Sequence, residues 1–228
     1  MNRIARLAIA FAATTALAAP KTVVAQGTGQ AVAVAPFNLH EARGDARDFH
    51  GVGTAIADLL AADLRAGGVS VADRGPVQRT VALQARGRDG LLGRQGAVAA
   101  AKVLGAQHVI YGGFAADQAG NVRLDARGVN VGSGAVEATE RLQGHGDEIP
   151  MMVQQLATRL ASAMSLTLSQ GAPQAASLPL RALADYGKAL EALDRGDRAG
   201  ARSLLQGLVQ DHPDFAPARA ALAAASDR

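Results

Sequence analysis

The chain has 228 residues, enough for one medium domain and a small appendage, and 49% of them are hydrophobic, so it can bury a real core. Only 3% are aromatic and none is Trp, which argues against base-stacking nucleic-acid sites. Arg3, Arg6 and Lys21 account for the formal charge of +3: setting those three aside lowers Lys+Arg from 23 to 20, against 20 acidic residues, and leaves no basic excess for DNA or RNA.

Residues 1–25 read as a secretory signal, with Arg3 and Arg6 as the charged start and Leu7 to Ala19 as the apolar run. Cleavage after Ala25 or after Ala18 fits the small residues there. A membrane span needs about 20 uninterrupted apolar residues, and Thr14, Thr15, Pro20 and Lys21 break this run. The chain has no Cys, which excludes disulfides, thiolate catalysis, cysteine-bound zinc and the acylated cysteine of a lipoprotein. The expectation is a periplasmic or secreted protein without a lipid anchor.

The run Ala31 to Phe37 is apolar on both faces and closed by Pro36, and predicts the first and most central strand of a sheet with helices on both sides. Asn38 to His50 reads as a polar loop. Val52, Ile56, Leu59, Leu60 and Leu64 recur at helical spacing up to Gly67-Gly68. Val69 to Ala72 predicts a second strand, then Pro76 to Val81 a short helix, Gln84 to Arg94 an exposed loop and Gln95 to Leu104 an Ala-rich helix. His108 to Phe114 is a third strand. Val122, Leu124 and Ala126 alternate with Arg123, Asp125 and Arg127, so that strand has one face in the core and one in water. Gly132-Ser133-Gly134 turns the chain into another strand, Ala135 to Leu142. Asp147 is a candidate N-cap for a helix reaching Leu168. The order β-α-β-α-β-β-β-α implies an α/β fold, its mixed sheet parallel early and antiparallel late. It occupies residues 26–168. Residues 169–179 read as a linker or as an ordinary loop between packed helices. Helical stretches follow over 180–228: Leu180 to Arg195, Arg198 to Asp211 and Asp214 to Ala225.

Four segments match a known pattern: Ala-Val-Ala-Pro-Phe at 33–37, Gly-Val-Gly-Thr-Ala-Ile-Ala-Asp-Leu-Leu at 51–60, Gly-Val-Ser-Val-Ala-Asp-Arg at 68–74, and Ala-Lys-Val-Leu-Gly-Ala-Gln-His-Val-Ile-Tyr-Gly-Gly at 101–113. On these, residues 30–168 resemble the curli-assembly (CsgG-like) family and its relatives with a TolB-amino-terminal-like fold. The resemblance implies a role at a bacterial envelope without catalysis, as a secretion-channel subunit, a flagellar accessory protein or an activator of wall synthases. The tail resembles a tetratricopeptide repeat (TPR), with Ala189, Ala201 and Pro213 at intervals of twelve and Gly196-Asp197 at the inter-helix turn. Leu183, Tyr186, Leu190 and Leu193 would face Leu204, Leu205 and Leu208. The pattern covers well under the ~3 units that stand alone, so the tail should dock on the first domain or on a partner.

No catalytic pattern emerges. Gly51-x-Gly53 with Asp73 imitates a dinucleotide fingerprint, but thirteen residues separate it from the strand and Ile56 replaces the third small residue. His40, His50, His108, His145 and His212 are not at metal-ligand spacing, and only His40, Asp48 and His50 share a loop. The Asp58/Asp63 and Glu137/Glu140 pairs read as solvated charges, and His108 as a partly buried edge residue. No cofactor or metal is expected. The partners expected are envelope proteins or further copies of the chain, not nucleic acid, with Tyr186 and Phe215 as aromatic anchors and Arg86 and Arg88 on an exposed loop.

Overall fold

The computed structural model describes residues 31–42, 49–85, 93–117, 119–169 and 177–226. In chain order the elements are β1 (Val32–Val34), β2 (Asn38–Ala42), α1 (Val52–Ala66), α2 (Arg74–Ala85), α3 (Arg94–Val103), β3 (His108–Ala116), β4 (Asn121–Asn130), β5 (Val136–His145), α4 (Ile149–Ala163), α5 (Leu180–Asp194), α6 (Arg198–Asp211) and α7 (Ala216–Ser226). The fold is α/β, with a mixed sheet flanked by helices. The expected leader, the loop holding Arg86 and Arg88, and Asp48 lie outside the described residues.

The middle of the sheet is β3, not the first strand. β3 is nine residues long and almost wholly buried, so both its edges and both its faces are covered. On one edge it pairs with β4 along its length, Val109 opposite Val129 and Phe114 opposite Leu124, and β4 pairs in turn with β5. On the other edge lie β1 and β2, both parallel to β3, at His108–Ile110 and Gly113–Ala116 respectively. The first five residues of the segment expected to be a loop, Asn38–Ala42, are therefore strand. Pro36 has no N–H for the ladder, so it interrupts this edge rather than ending it. The expected strand Val69–Ala72 is reduced to one bridge, Val32 to Val71.

Two helical layers cover the sheet. On one face α1 and α4 pack over Val32, Val34, Ile110, Phe114, Leu124, Ala126 and Leu142. On the other, α2 and α3 press Val77, Val81, Ala97, Ala100 and Ala101 onto Ala33, Ala35, Val109, Tyr111 and Val129. The alternation in β4 is as expected: Val122, Leu124 and Ala126 are buried while Arg123 and Asp125 face outward.

Several boundaries differ. α2 begins at Arg74 and runs to Ala85, longer than its turn-like sequence suggests. α4 stops at Ala163 rather than Leu168, because Ser165 turns left-handed (φ 55°) and Leu166 N–H bonds back to Ala161. The chain then returns to α1, where Ser169 N–H donates to the Gly67 carbonyl at 2.8 Å. Asp147 does not cap α4. It sits in a short 3-10 turn, Gly146–Glu148, and its carboxylate bonds His145 Nδ1 at 2.7 Å. At the far end of the linker segment Leu178 is fully buried and bonds the Asp147 carbonyl. Among the described residues no helix is long and apolar enough to cross a membrane.

Candidate functional site

The tail docks through α5 onto α1. Helix α1 begins at Gly51 with no side chain of its own as cap and no acidic residue in its first turn. Its unpaired N–H groups and positive dipole end therefore favour an acidic neighbour. Glu191 of α5 takes that place: Thr54 Oγ1 donates to Glu191 Oε1 at 2.9 Å, and His50 Nε2 lies 3.5 Å from Oε2. Backbone meets backbone beside it, since a Cβ on Gly187 would fall 1.9 Å from the Gly51 carbonyl oxygen. Gly51-x-Gly53 is thus a helix start filled by the tail and by Phe37, whose carbonyl lies 1.9 Å from where a Gly53 Cβ would be. No room is left there for a dinucleotide phosphate.

Next to this contact, Arg74 joins three elements. Its Nε is 3.3 Å from Asp58 Oδ1, and its Nη1 donates to Asp194 Oδ2 at 2.5 Å and to the Leu190 carbonyl at 3.0 Å. Tyr186 Oη donates to Asp58 Oδ2 at 2.7 Å. Burial pushes the Tyr186 phenol well above its ordinary pKa, and the Asp58 charge adds to the shift. Burial also raises the Asp194 carboxyl, with Arg74 opposing. Asp58 is therefore a half-buried acceptor in the seam between α1, α2 and α5 rather than a solvated charge.

Tyr186 and Phe215, expected as partner anchors, are 2% and 5% exposed. Their rings meet edge to face at 5.2 Å, holding α5 to the start of α7, so neither ring offers surface to a partner. Ala189 and Ala201 are fully buried, Gly196 turns left-handed between α5 and α6, and Pro213 is exposed after α6. Leu183, Leu190, Leu205 and Leu208 join the core as expected, but Leu204 is turned outward at 38% exposure.

The open surface is on the other side of the sheet. Helices α2 and α3 cover β1, β3 and the Val129 end of β4, and no further. Beyond them the same face of β4 and β5 is polar. Arg123 Nε and Arg141 Nε bond the two oxygens of Asp125 at 2.9 and 2.5 Å, and Arg127 is exposed beside them. Partial burial pushes the Asp125 carboxyl up, but the bonds from Arg141 and Arg123 outweigh it and hold it below the usual carboxylate range. β5 is the last strand of the sheet, ten residues long, and among the described residues nothing pairs with its outer edge. Neither feature was singled out from sequence as a site, although the Arg123/Asp125/Arg127 alternation signalled the open face.

Glu137 and Glu140 are both paired. Glu137 Oε2 is 3.0 Å from His108 Nδ1, and Glu140 Oε2 is 3.7 Å from Arg159 of α4. His108 opens the central strand and is buried, at 4% exposure. Among the described residues no group of three His, Asp or Glu side chains is placed to hold a metal ion.

The arrangement is that of an α/β domain with a docked helical tail, an unpaired sheet edge and a charged open face. No known family profile and no curated protein matches the chain. Among solved structures, the LpoB C-terminal domain from Salmonella enterica aligns over 51% of this chain and 83% of that one, at 19% identity and a TM-score of 0.40. TolB from Acinetobacter baumannii aligns over 60% of this chain and 28% of that one, at 11% identity and 0.39. A PelC dodecamer from Paraburkholderia phytofirmans aligns over 60% and 89%, at 19% and 0.36.

Proposed function

We propose that this chain is an exported, non-catalytic accessory or assembly protein of the cell envelope that binds other proteins through a CsgG-like α/β domain and TPR-like helices. The observation behind this reading is the outer edge of β5 beside the Arg123–Asp125–Arg141 ladder. A strand edge offers a row of unpaired N–H and C=O groups to an extended segment of another protein. Charges alongside it select the partner and speed its approach more than they add affinity. The small buried residues Ala189 and Ala201 between α5 and α6 support TPR-type packing in the tail. The leader-like start at residues 1–25 supports export, and the lack of Cys is the basis for reading the protein as unlipidated. The sequence chemistry gives no reaction to assign.

The second reading is an oligomeric secretion-channel subunit of the curli type. The β4–β5 hairpin is long enough for it. Yet its open face holds Arg123, Asp125, Arg127 and Arg141, and a basic residue facing lipid at mid-membrane costs about 2–4 kcal/mol.

A photo-crosslinking residue at Thr139, on the exposed side of β5, tests the first reading in cells making the full chain. The expected result is an adduct with one exported envelope protein, and a mature N-terminus at residue 19 or 26 by mass spectrometry. Retention of the intact leader inside the cell, or an adduct no stronger than at an α7 control position, overturns it. Light scattering of the detergent-free protein distinguishes the readings: a monomer or dimer opposes the channel, and a large ring favours it.

A further inference from the structure

The two sides of the unpaired β5 edge differ in charge. The regular part of that edge starts after Glu137. The β4–β5 register runs from Gly128 opposite Ala138 directly to Val129 opposite Val136, so Glu137 is an extra residue on β5. Bulges re-aim side chains, and Glu137 is bonded to His108. From Ala138 onward side chains alternate between the two sides. On the α4 side Ala138 and Leu142 are buried, and Glu140 between them is matched by Arg159 at 3.7 Å. On the open side Arg123, Arg127 and Arg141 accompany one carboxylate, Asp125.

These guanidiniums keep most of their donors for a ligand. Arg123 and Arg141 each bond Asp125 through Nε, and neither makes another bond among the described residues. A guanidinium carries its remaining N–H donors on the two Nη atoms, in a fork that matches a carboxylate. Asp125 therefore holds both side chains in place and leaves their Nη ends open. Arg123 offsets the charge of Asp125, which leaves Arg141 and Arg127 as the surplus. Arg127 is exposed, makes no hydrogen bond or ion pair among the described residues, and stands opposite the short side chain of Thr139.

Charge alone would protect an edge from aggregation. A carboxylate that positions two guanidiniums with their donors outward goes beyond that need. A second copy of this chain fits the edge poorly. Antiparallel pairing of β5 with its own copy runs about a two-fold axis normal to the sheet, which keeps both open sides on one side and brings arginine towards arginine. Like charges across a strand pair are destabilising.

We propose that the edge takes an extended acidic segment of a different protein. Its strand pairs with β5 and carries Asp or Glu at alternate positions on the open side, with small or apolar residues between them. One carboxylate is bonded by the Nη groups of Arg141, and the next reaches across Thr139 to Arg127. The inference rests on the β5 edge being the protein-binding site, and adds what that site selects.

Two measurements on the full chain test it. In cells, a photo-crosslinking residue at Gln143 leaves Thr139 and the arginines intact, and mass spectrometry sequences the segment it captures. The expected segment has Asp or Glu at alternate positions. Its adduct should fall by about tenfold or more when Arg127→Glu and Arg141→Glu are combined, and by less than about threefold with Lys at both positions, which keeps the charge. An adduct of equal strength in the charge-reversed chain keeps the edge as a protein site but overturns the acidic segment, and so does a captured segment without alternating acids. No adduct in the parent chain ends both readings.

With purified protein, the probe is a fluorescein-labelled peptide of alternating Glu and Val, followed by anisotropy. The expected Kd is on the order of 100 μM, weakened several-fold when salt rises from about 50 to about 500 mM. A peptide of the same composition with its Glu residues grouped at one end should bind at least about fivefold more weakly, because it cannot place acids on one side of a strand. Equal binding of the two peptides marks attraction for any polyanion and overturns the proposal.

Discussion

The two faces of the sheet are built from different materials. The face under α1 and α4 is made of large side chains, among them Ile110, Phe114, Leu124, Leu156 and Leu160, and it extends into the tail through Leu183 and Tyr186. The face under α2 and α3 is made chiefly of Ala and Val, ends at Val129, and gives way to the charged ladder. Hydrophobic stabilisation scales with the apolar area removed from water, so the first face holds the fold together. The second has area to spare for a partner.

That contrast fails if cutting a buried sheet residue back to alanine costs the same on both faces. Phe114→Ala empties a 2% exposed site under α1 and should cost about 3–5 kcal/mol in urea unfolding. Val109→Ala, at 1% exposure under α3, removes two methyl groups and should cost about 2 kcal/mol, at ~0.8 per buried methylene plus a small cavity. Equal costs would mean that the α2/α3 layer is as essential as the other.

The next test asks whether the tail belongs to the large-residue face. At Gly187 an added Cβ has backbone, not a flexible side chain, 1.9 Å away. Gly187→Ala must therefore push α5 off α1, at about 2–3 kcal/mol for overpacking. Proteolysis should then cut near Pro179 faster, while near-native β content persists in circular dichroism. An unchanged cleavage rate would show that the helices do not meet as closely as Gly51 and Gly187 indicate.

A smaller effect comes from Asp63 on α1, whose carboxyl burial pushes up to about 6, well above the ordinary carboxylate range. The unfolded chain ionises first as pH rises, so the native state carries a penalty that grows between pH 4 and 6 and is complete above that. Asp63→Asn should stabilise by about 1 kcal/mol at pH 8, after allowing for solvent screening of a partly exposed group, and by nothing near pH 3. A gain that persists in acid would assign the effect to packing rather than to charge.

Much of this architecture is legible in the sequence, because burial leaves a period. The alternation in β4 and the helical spacing of Val52, Ile56, Leu60 and Leu64 each name a buried face without any tertiary knowledge. What sequence does not show is set by contacts distant along the chain. Asn38-Leu39-His40-Glu41-Ala42 has no strand period, yet it is a strand because β3 leaves its edge open to it. Tyr186 resembles an exposed anchor until Asp58, 128 positions away, accepts its hydroxyl proton. The pairing of Glu137 with His108 is harder still to read: it depends on a one-residue bulge, and periodicity cannot report a register shift. Ser165 had a usable signal, a serine shortly before the end of an apolar helical pattern, but the pattern running on to Leu168 concealed the stop.

The smallest expected effect lies on the polar face itself. Asp125 accepts from Arg123 and Arg141, and its depressed pKa means it contributes stability above the unfolded value near 3.9, lost as pH falls through the folded one. The Arg141 side chain is 65% exposed, and pairs of this kind are screened by water and salt. Asp125→Asn should therefore cost no more than ~1 kcal/mol at pH 7. The difference should shrink in 1 M salt and vanish at low pH. If instead the loss reached the size expected for Phe114→Ala, the ladder would be a structural element and the open face would have little freedom to exchange these contacts for a partner's. A small loss, together with weaker crosslinking at Thr139, is what a surface kept for recognition should show.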